Sequence, residues 1–278
     1  MKQLVLAAFA IGLALTSLAQ TDTTTTKTDT IRVGGMIIIK KKGKDKDSND
    51  STDVVISNRR KRRNPNIATN WWIVDLGFAN FKDETDYTAA RQSGFVSSNF
   101  TSKDNLKLRT GKSVNVNIWA FMQKLNLMKH YINLKYGLGV ELNNYRFDDE
   151  RVRFSKNPTK ISLDSVALAN ADKNKLAADY VTMPLLLNFN FTPHRGNSFG
   201  FSFGVSAGYL YNARQKIKDH GKKTKLHDDF NLEKWKISYI AELTLGPVRL
   251  YGSMATKNMW EKGLDQTPYN VGIRFSHF

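Results

Sequence analysis

The chain contains no cysteine in 278 residues. No disulfide can staple it and no thiolate can hold a metal, so its stability must come from packing, hydrogen bonds and charge pairing. Beyond Gln20 it also lacks any continuously apolar run of the ~20 residues that a membrane-spanning helix requires. Mean hydropathy is −0.44, although aromatics make up 11% of the residues. Acidic residues are the minority, 25 Asp and Glu against 42 Lys and Arg, leaving a formal charge of +17. In a cytosolic chain that balance would point to nucleic acid.

The first residues argue against that partner. Met1-Lys2-Gln3 is a short positive start, Leu4 to Leu15 is almost wholly apolar, and Ser17-Leu18-Ala19 supplies small residues at a cleavage site. This is the pattern of a secretory signal peptide over residues 1–19, with Gln20 as the mature start. Export removes nucleic acid as a partner, and with no cysteine after the site a lipid-anchored form is not expected. The remaining anions for a basic chain are peptidoglycan, lipopolysaccharide phosphates and acidic lipid surfaces. Residues 20–69 have the composition of a basic, mostly disordered periplasmic tail. A Thr/Asp tract leads to a β-prone piece, Ile31 to Ile39, and then to the charge block Lys40 to Asp47. A second short piece, Val54 to Ile56, precedes Arg59-Arg60-Lys61-Arg62-Arg63. Charge blocks of this kind stay solvated rather than entering a core.

From Asn70 the pattern becomes a strict alternation. Successive strand side chains face opposite sides of a sheet, so alternation assigns each residue to a face. Between Ser198 and Tyr211, Phe199, Phe201, Phe203, Val205, Ala207, Tyr209 and Tyr211 share one face, while Ser198, Gly200, Ser202, Gly204, Ser206 and Gly208 share the other. A soluble half-buried sheet would expose large charged residues on its second face. A face of minimal side chains suits the inside of a narrow tube.

The same reading gives eight strands: 70–82, 111–125, 131–147, 180–192, 198–211, 232–245, 248–257 and 269–278. Their outward residues include Trp72 to Phe78, Val114 to Met122, Ile132 to Leu142 and Val181 to Phe191, taken alternately. Trp235 to Leu245, Val248 to Met254 and Tyr269 to Phe275 continue the series. Connections after the second, fourth and sixth strands are short, the tightest being Gly246-Pro247. The others are long and polar, with about thirty residues between Asp148 and Asp179. The expected fold is all-β: an eight-stranded antiparallel transmembrane β-barrel over residues 70–278, with tight periplasmic turns, long external loops and both termini periplasmic. Aromatics near strand ends, among them Trp71, Trp72, Tyr145, Tyr180, Tyr211, Trp235 and Tyr269, are expected at the lipid headgroups.

Lys175 to Thr192, KLAADYVTMPLLLNFNFT, together with FGFSFGVSAGYLYNARQK and the ending YNVGIRFSHF, resembles the outer-membrane β-barrel domain common in Bacteroidota, often described as porin-like or PorT-like. The resemblance runs from about Trp71 to Phe278. It implies a barrel in the outer membrane and implies neither catalytic residues nor a defined ligand. Such barrels commonly end on an aromatic in phase with the lipid face. Here Phe278 is out of phase with Phe275, so either a terminal bulge corrects it or Phe275 serves as that mark.

Inward positions carry Asp75, Glu141 and Glu242 against Lys135, Lys236, Arg249 and Arg274, joined by Asn115, Asn117, Asn133, Asn188 and Asn190. An eight-stranded barrel is just wide enough for side chains to fill, and charges inside must be paired to offset desolvation. These seven charged residues are therefore expected to form an interior plug, and the alternative is a narrow polar path gated by the same pairs. Of the five histidines only His220 and His227 fall in a long loop, beside Asp219, Asp228 and Asp229. Their spacing matches no catalytic or metal motif, so no catalytic, cofactor or metal residues are assigned. The basic loop Arg214 to Lys225 is a candidate contact for lipopolysaccharide phosphates, although a solvated flexible loop is the simpler reading. The functional expectation is a non-enzymatic envelope component with a structural or interaction role. It would contact outer-membrane lipid and lipopolysaccharide, and through the tail peptidoglycan or envelope proteins. The alternatives are a narrow channel or accessory part of a protein-secretion system, and an enzyme at the barrel rim.

Overall fold

The computed structural model describes residues 30–33, 36–39, 65–193 and 198–276. The expected signal peptide, both basic blocks of the tail and the terminal phase question at Phe278 lie outside these residues. The chain divides into two units, Met1–Arg63 and Asn64–Phe278. In the first, β1 (Thr30–Val33) and β2 (Met36–Ile39) pair antiparallel, Thr30 opposite Ile39 and Val33 opposite Met36. These two short strands fall on the β-prone piece Ile31 to Ile39 of the tail.

The second unit begins with β3 (Ile67–Asp83), followed by the short helix α1 (Tyr87–Gln92), β4 (Val114–Met128) and β5 (Ile132–Arg146). A small hairpin of β6 (Val152–Phe154) and β7 (Ile161–Leu163) precedes the two longest strands, β8 (Ala171–Asn190) and β9 (Phe199–Asp219). Then come β10 (Lys222–His227), β11 (Trp235–Leu245), β12 (Val248–Ala255) and β13 (Gln266–Phe275). Hydrogen bonding runs β9-β11-β12-β13-β3-β4-β5-β8, and β8 pairs back onto β9, which closes a ring of eight antiparallel strands. Above the end of β11, β10 takes the same edge of β9.

The ring is staggered. From Ile273, partners traced through Leu76, Val116, Leu142 and Asp179 reach Asn212 on β9; traced through Leu250 and Leu243 they reach Phe201. Strands must therefore tilt against the barrel axis, which is the condition for closing a sheet. Tight turns follow from residue choice. Gly246 (φ 64°) supplies the left-handed first position of the turn between β11 and β12. Lys129 and His130 both take positive φ between β4 and β5, where the Asn126 side chain accepts from the His130 N–H at 2.6 Å.

Outward faces agree with the alternation for six strands without change; β3 and β4 differ. The Trp72–Ala120 pair is missing from the β3–β4 ladder, Trp72 has φ 56°, and the register to β5 slips between Trp119 and Phe121. Side-chain phase flips across this defect. Trp71 and Trp72 are both exposed, whereas Met122, expected to face outward, is 1% exposed and lies inside. A second correction concerns Tyr145 and Tyr180: both are buried within the barrel and neither stands at a strand-end surface. Boundaries also move. The alternating signal ends at Tyr180 and Tyr211, but backbone pairing continues to Ala171 and Asp219. The Lys-rich segment Arg214 to Lys225, read as a flexible loop, is the end of β9 and the start of β10, joined by His220-Gly221, both at positive φ.

Inside the ring, minimal side chains make room for large ones. A Cβ added to Gly272 would lie 2.7 Å from the Tyr251 ring, and one on Gly77 would lie 2.5 Å from its hydroxyl. Outside, Phe201, Phe203, Leu185 and Val205 form an exposed apolar band. A closed sheet leaves no unpaired edge, the requirement for crossing hydrocarbon with strands. Replacing Phe203 with Arg places a cation on that band, at ~2–4 kcal/mol near a bilayer midplane. The expected result is loss of the heat-modifiable folded species on cold gels. Wild-type yields of that species would refute the face assignment.

Candidate functional site

Among the described residues, the barrel interior concentrates buried charge. All seven charged residues read from the sequence as inward are buried. Arg274 on β13 makes a bidentate pair with Asp75 on β3, Nε to Oδ1 and Nη2 to Oδ2, each at 2.7 Å. Its third nitrogen donates to Glu242 on β11. Lys135 of β5 reaches the other Glu242 oxygen at 2.8 Å. Asp75 additionally accepts from Asn117 Nδ2 (3.1 Å) and Trp119 Nε1 (2.8 Å). The result is a four-charge chain that crosses the lumen: Lys135, Glu242, Arg274, Asp75.

Toward the loop end lies a second cluster. Lys236 pairs with Glu141, which also accepts from Asn143 and Asn270 at 3.0 Å each. The ammonium sits 4.8 Å from the Tyr180 ring centroid. Arg249 donates to the carbonyl and hydroxyl of Ser276 near the short-turn end. Of the interior amides, Asn115 bonds Asn143 and Asn117, and Asn133 bonds Asn188. Asn190 stands at the short-turn end, where its side chain accepts from Thr192 N.

Two parts of the interior were not legible in the residues. One is an apolar layer of Ile73, Trp119, Met122 and Leu186. It was hidden because the β4 bulge reverses the face of Met122. The other is a large apolar cap at the long-loop end, where inward Tyr145, Leu176, Tyr180 and Leu210 meet loop residues such as Phe100, Phe154, Phe230 and Trp260. Phe154 lies at its centre, with ring centroids 5.3 Å from Phe230 and 6.0 Å from Trp260. Polar clamps fix the loops to the strands: the Phe154 N–H donates to Gln215 Oε1 at 3.0 Å, and Gln215 Nε2 donates to the Val152 carbonyl at 2.9 Å. The available signal was the cluster of aromatics inside connections otherwise classed as polar.

Three titratable groups near the long loops are shifted by their neighbours. A hydrogen bond from Arg151 holds Asp149 below the usual carboxylate range. The Ala167 N–H, then Arg153, do the same for Asp164. Burial first, then the Asp83 carboxylate, push the Tyr87 hydroxyl upward. The histidines considered for chemistry are not assembled with several acids. His220 Nδ1 lies 2.7 Å from Asp219 in the exposed β9–β10 turn, while His227 Nδ1 faces Asn212 at 3.3 Å. Among the described residues no group of three or more acidic or imidazole side chains converges as a metal site would.

A closed antiparallel ring, an apolar exterior and a buried ionic interior agree with one comparison. A family model described as "Outer membrane protein beta-barrel domain" matches residues 90–252. No curated protein matches the chain. The match covers more than half of the sequence, and the chain therefore belongs to the outer-membrane protein β-barrel domain family.

Proposed function

We propose that this outer-membrane barrel is a non-enzymatic, non-conducting envelope component whose lumen is plugged by paired charges and sealed at its outer end by the loop cap. The observation that carries the reading is the buried charge chain Lys135, Glu242, Arg274 and Asp75 across the lumen, with the buried cap residues Tyr180 and Phe154 toward the loop end. Loop asymmetry supports an orientation with long loops outside, which sets both chain termini and the basic tail in the periplasm. A signal peptide over residues 1–19 would deliver it there. Partners on this reading are outer-membrane lipid and lipopolysaccharide around the barrel, with peptidoglycan or envelope proteins met by the tail. The ancestry that best fits the quoted motifs is the PorT-like group of Bacteroidota.

Planar-bilayer recording on the refolded full chain tests the closed lumen. The expected trace is flat. Regular unit steps that disappear when the protein is omitted would overturn the plug and favour the narrow-channel alternative. Surface biotinylation of a cysteine introduced at Val166, an exposed loop position, tests orientation on intact cells. Labelling only after lysis would reverse it.

A further inference from the structure

Beyond the lipid-facing band, β8, β9 and β10 continue as a three-stranded extension. Cross-strand register there sets lysine against lysine. Lys175 lies opposite Lys216, and Lys216 opposite Lys225. In the next row out, Lys173 lies opposite Lys218, and Lys218 opposite Lys223. Rows two residues apart share a face. On β8 that face runs through the buried Ala177 and Asp179 to Val181, Met183 and Leu185 of the exposed apolar band. Arg146 of β5 extends the first row by one more strand.

Like charges directly opposite one another destabilise a sheet, so such a grid needs compensating negative charge. Only part of it is present. Lys218 reaches Asp172 at 3.5 Å, and the Asp179 carboxylate is engaged by Arg214. Among the described residues, Lys173, Lys216, Lys223 and Lys225 have no carboxylate within ion-pair distance. Burial, followed by the neighbouring Lys173, Lys216 and Arg214, pushes Lys175 down to about 8. Strands lie ~4.8 Å apart and same-face residues ~7 Å apart along a strand. A neighbouring pair at that spacing can hold one phosphate, and a grid of two rows across three strands has room for more than one.

We propose that this lysine grid binds the phosphate groups of the outer-leaflet glycolipid surrounding the barrel. The inference rests on the envelope reading above and names the lipid chemistry that one outer face recognises. Lipid is favoured over a free ion because the grid stands on the same face as the apolar band, at the height where headgroups begin. A bound phosphate supplies charge-assisted hydrogen bonds to several ammonium groups at once and relieves their mutual repulsion.

The test uses the full chain folded in detergent micelles, so that it does not depend on orientation in cells. The probes are a bis-phosphorylated lipid A, its dephosphorylated counterpart and inorganic phosphate. Wild type should bind the phosphorylated lipid at least about tenfold more tightly than the dephosphorylated one, and inorganic phosphate at equal concentration should not displace it. The Lys175→Gln/Lys216→Gln/Lys225→Gln variant should lose that preference, and the corresponding triple Arg variant should keep it. Without lipid, the Gln variant should melt no lower than wild type, because it removes repulsion. Equal binding of the two lipids, retained preference in the Gln variant, or a lowered melting point without lipid would each overturn the proposal. Displacement by inorganic phosphate would assign the grid to a free anion and overturn the lipid assignment. A failure here with the conductance result intact removes the lipid site and leaves the envelope reading standing.

Discussion

Arg274→Ala is expected to lower the stability of the folded barrel by ~3–5 kcal/mol, the usual penalty for stranding a buried charge. The partners are unequal, and this makes the prediction sharper. Glu242 keeps Lys135 at 2.8 Å, whereas Asp75 is left with two neutral donors, Asn117 and Trp119. The damage should therefore centre on Asp75, which is 0% exposed. Asp75→Asn in the Arg274→Ala background should restore most of the loss, while Asp75→Asn alone should be milder because Arg274 retains Glu242. Urea unfolding from lipid vesicles, followed by tryptophan fluorescence, measures all three variants. An unchanged midpoint for Arg274→Ala would mean that the pair contributes nothing to the folded state.

Phe154→Ala is expected to act locally with comparable force. Truncating a fully buried aromatic costs ~3–5 kcal/mol, and Phe154 touches Phe147, Phe230 and Trp260 within the cap. The cap and the ring are held by different interactions, so the loss should appear as opening of the loops rather than unfolding of the barrel. Hydrogen exchange in β6, β7 and the 228–234 segment should accelerate by roughly a hundred- to several thousandfold, as the opening free energy dictates. Exchange in β4 and β5 should be unaffected. Uniform acceleration over all strands would show that cap and ring unfold as one unit.

The parts legible in the sequence are those governed by the two-residue period. Lipid requires an apolar outer face at every second position, and the charged inner residues Asp75, Glu141, Lys236 and Arg274 stand out against it for the same reason. The period fails where the chain departs from a regular ladder. An added residue at Ala120 costs no composition signal yet reverses every side chain after it, which is how Met122 was misplaced. On β8 and β9 the apolar signal stops at Tyr180 and Tyr211, although strand pairing continues to Ala171 and Asp219. There Lys175 and Lys216 look like loop residues in one dimension and become neighbours only once the register is known. The cap was hidden for a different reason: Phe100, Phe154 and Trp260 are scattered through separate connections, and no local period links residues that meet only in three dimensions.

The seam between β3 and β13 has a consequence for how the chain is made. Every other junction in the ring joins strands that are adjacent or nearly adjacent in sequence, but this one joins positions 199 apart, spanned by the Arg274–Asp75 pair. Contacts of such separation carry the greatest loop-closure entropy and are the slowest kind to form. A nascent chain released before Gln266 would present β3 and β12 as two open edges to hydrocarbon, with Asp75 uncompensated between them. The last ten residues of the ring thus decide whether the preceding seven strands have a stable form in lipid at all. Synthesis, export and insertion must hold the unfinished sheet in a protected state until that final strand arrives.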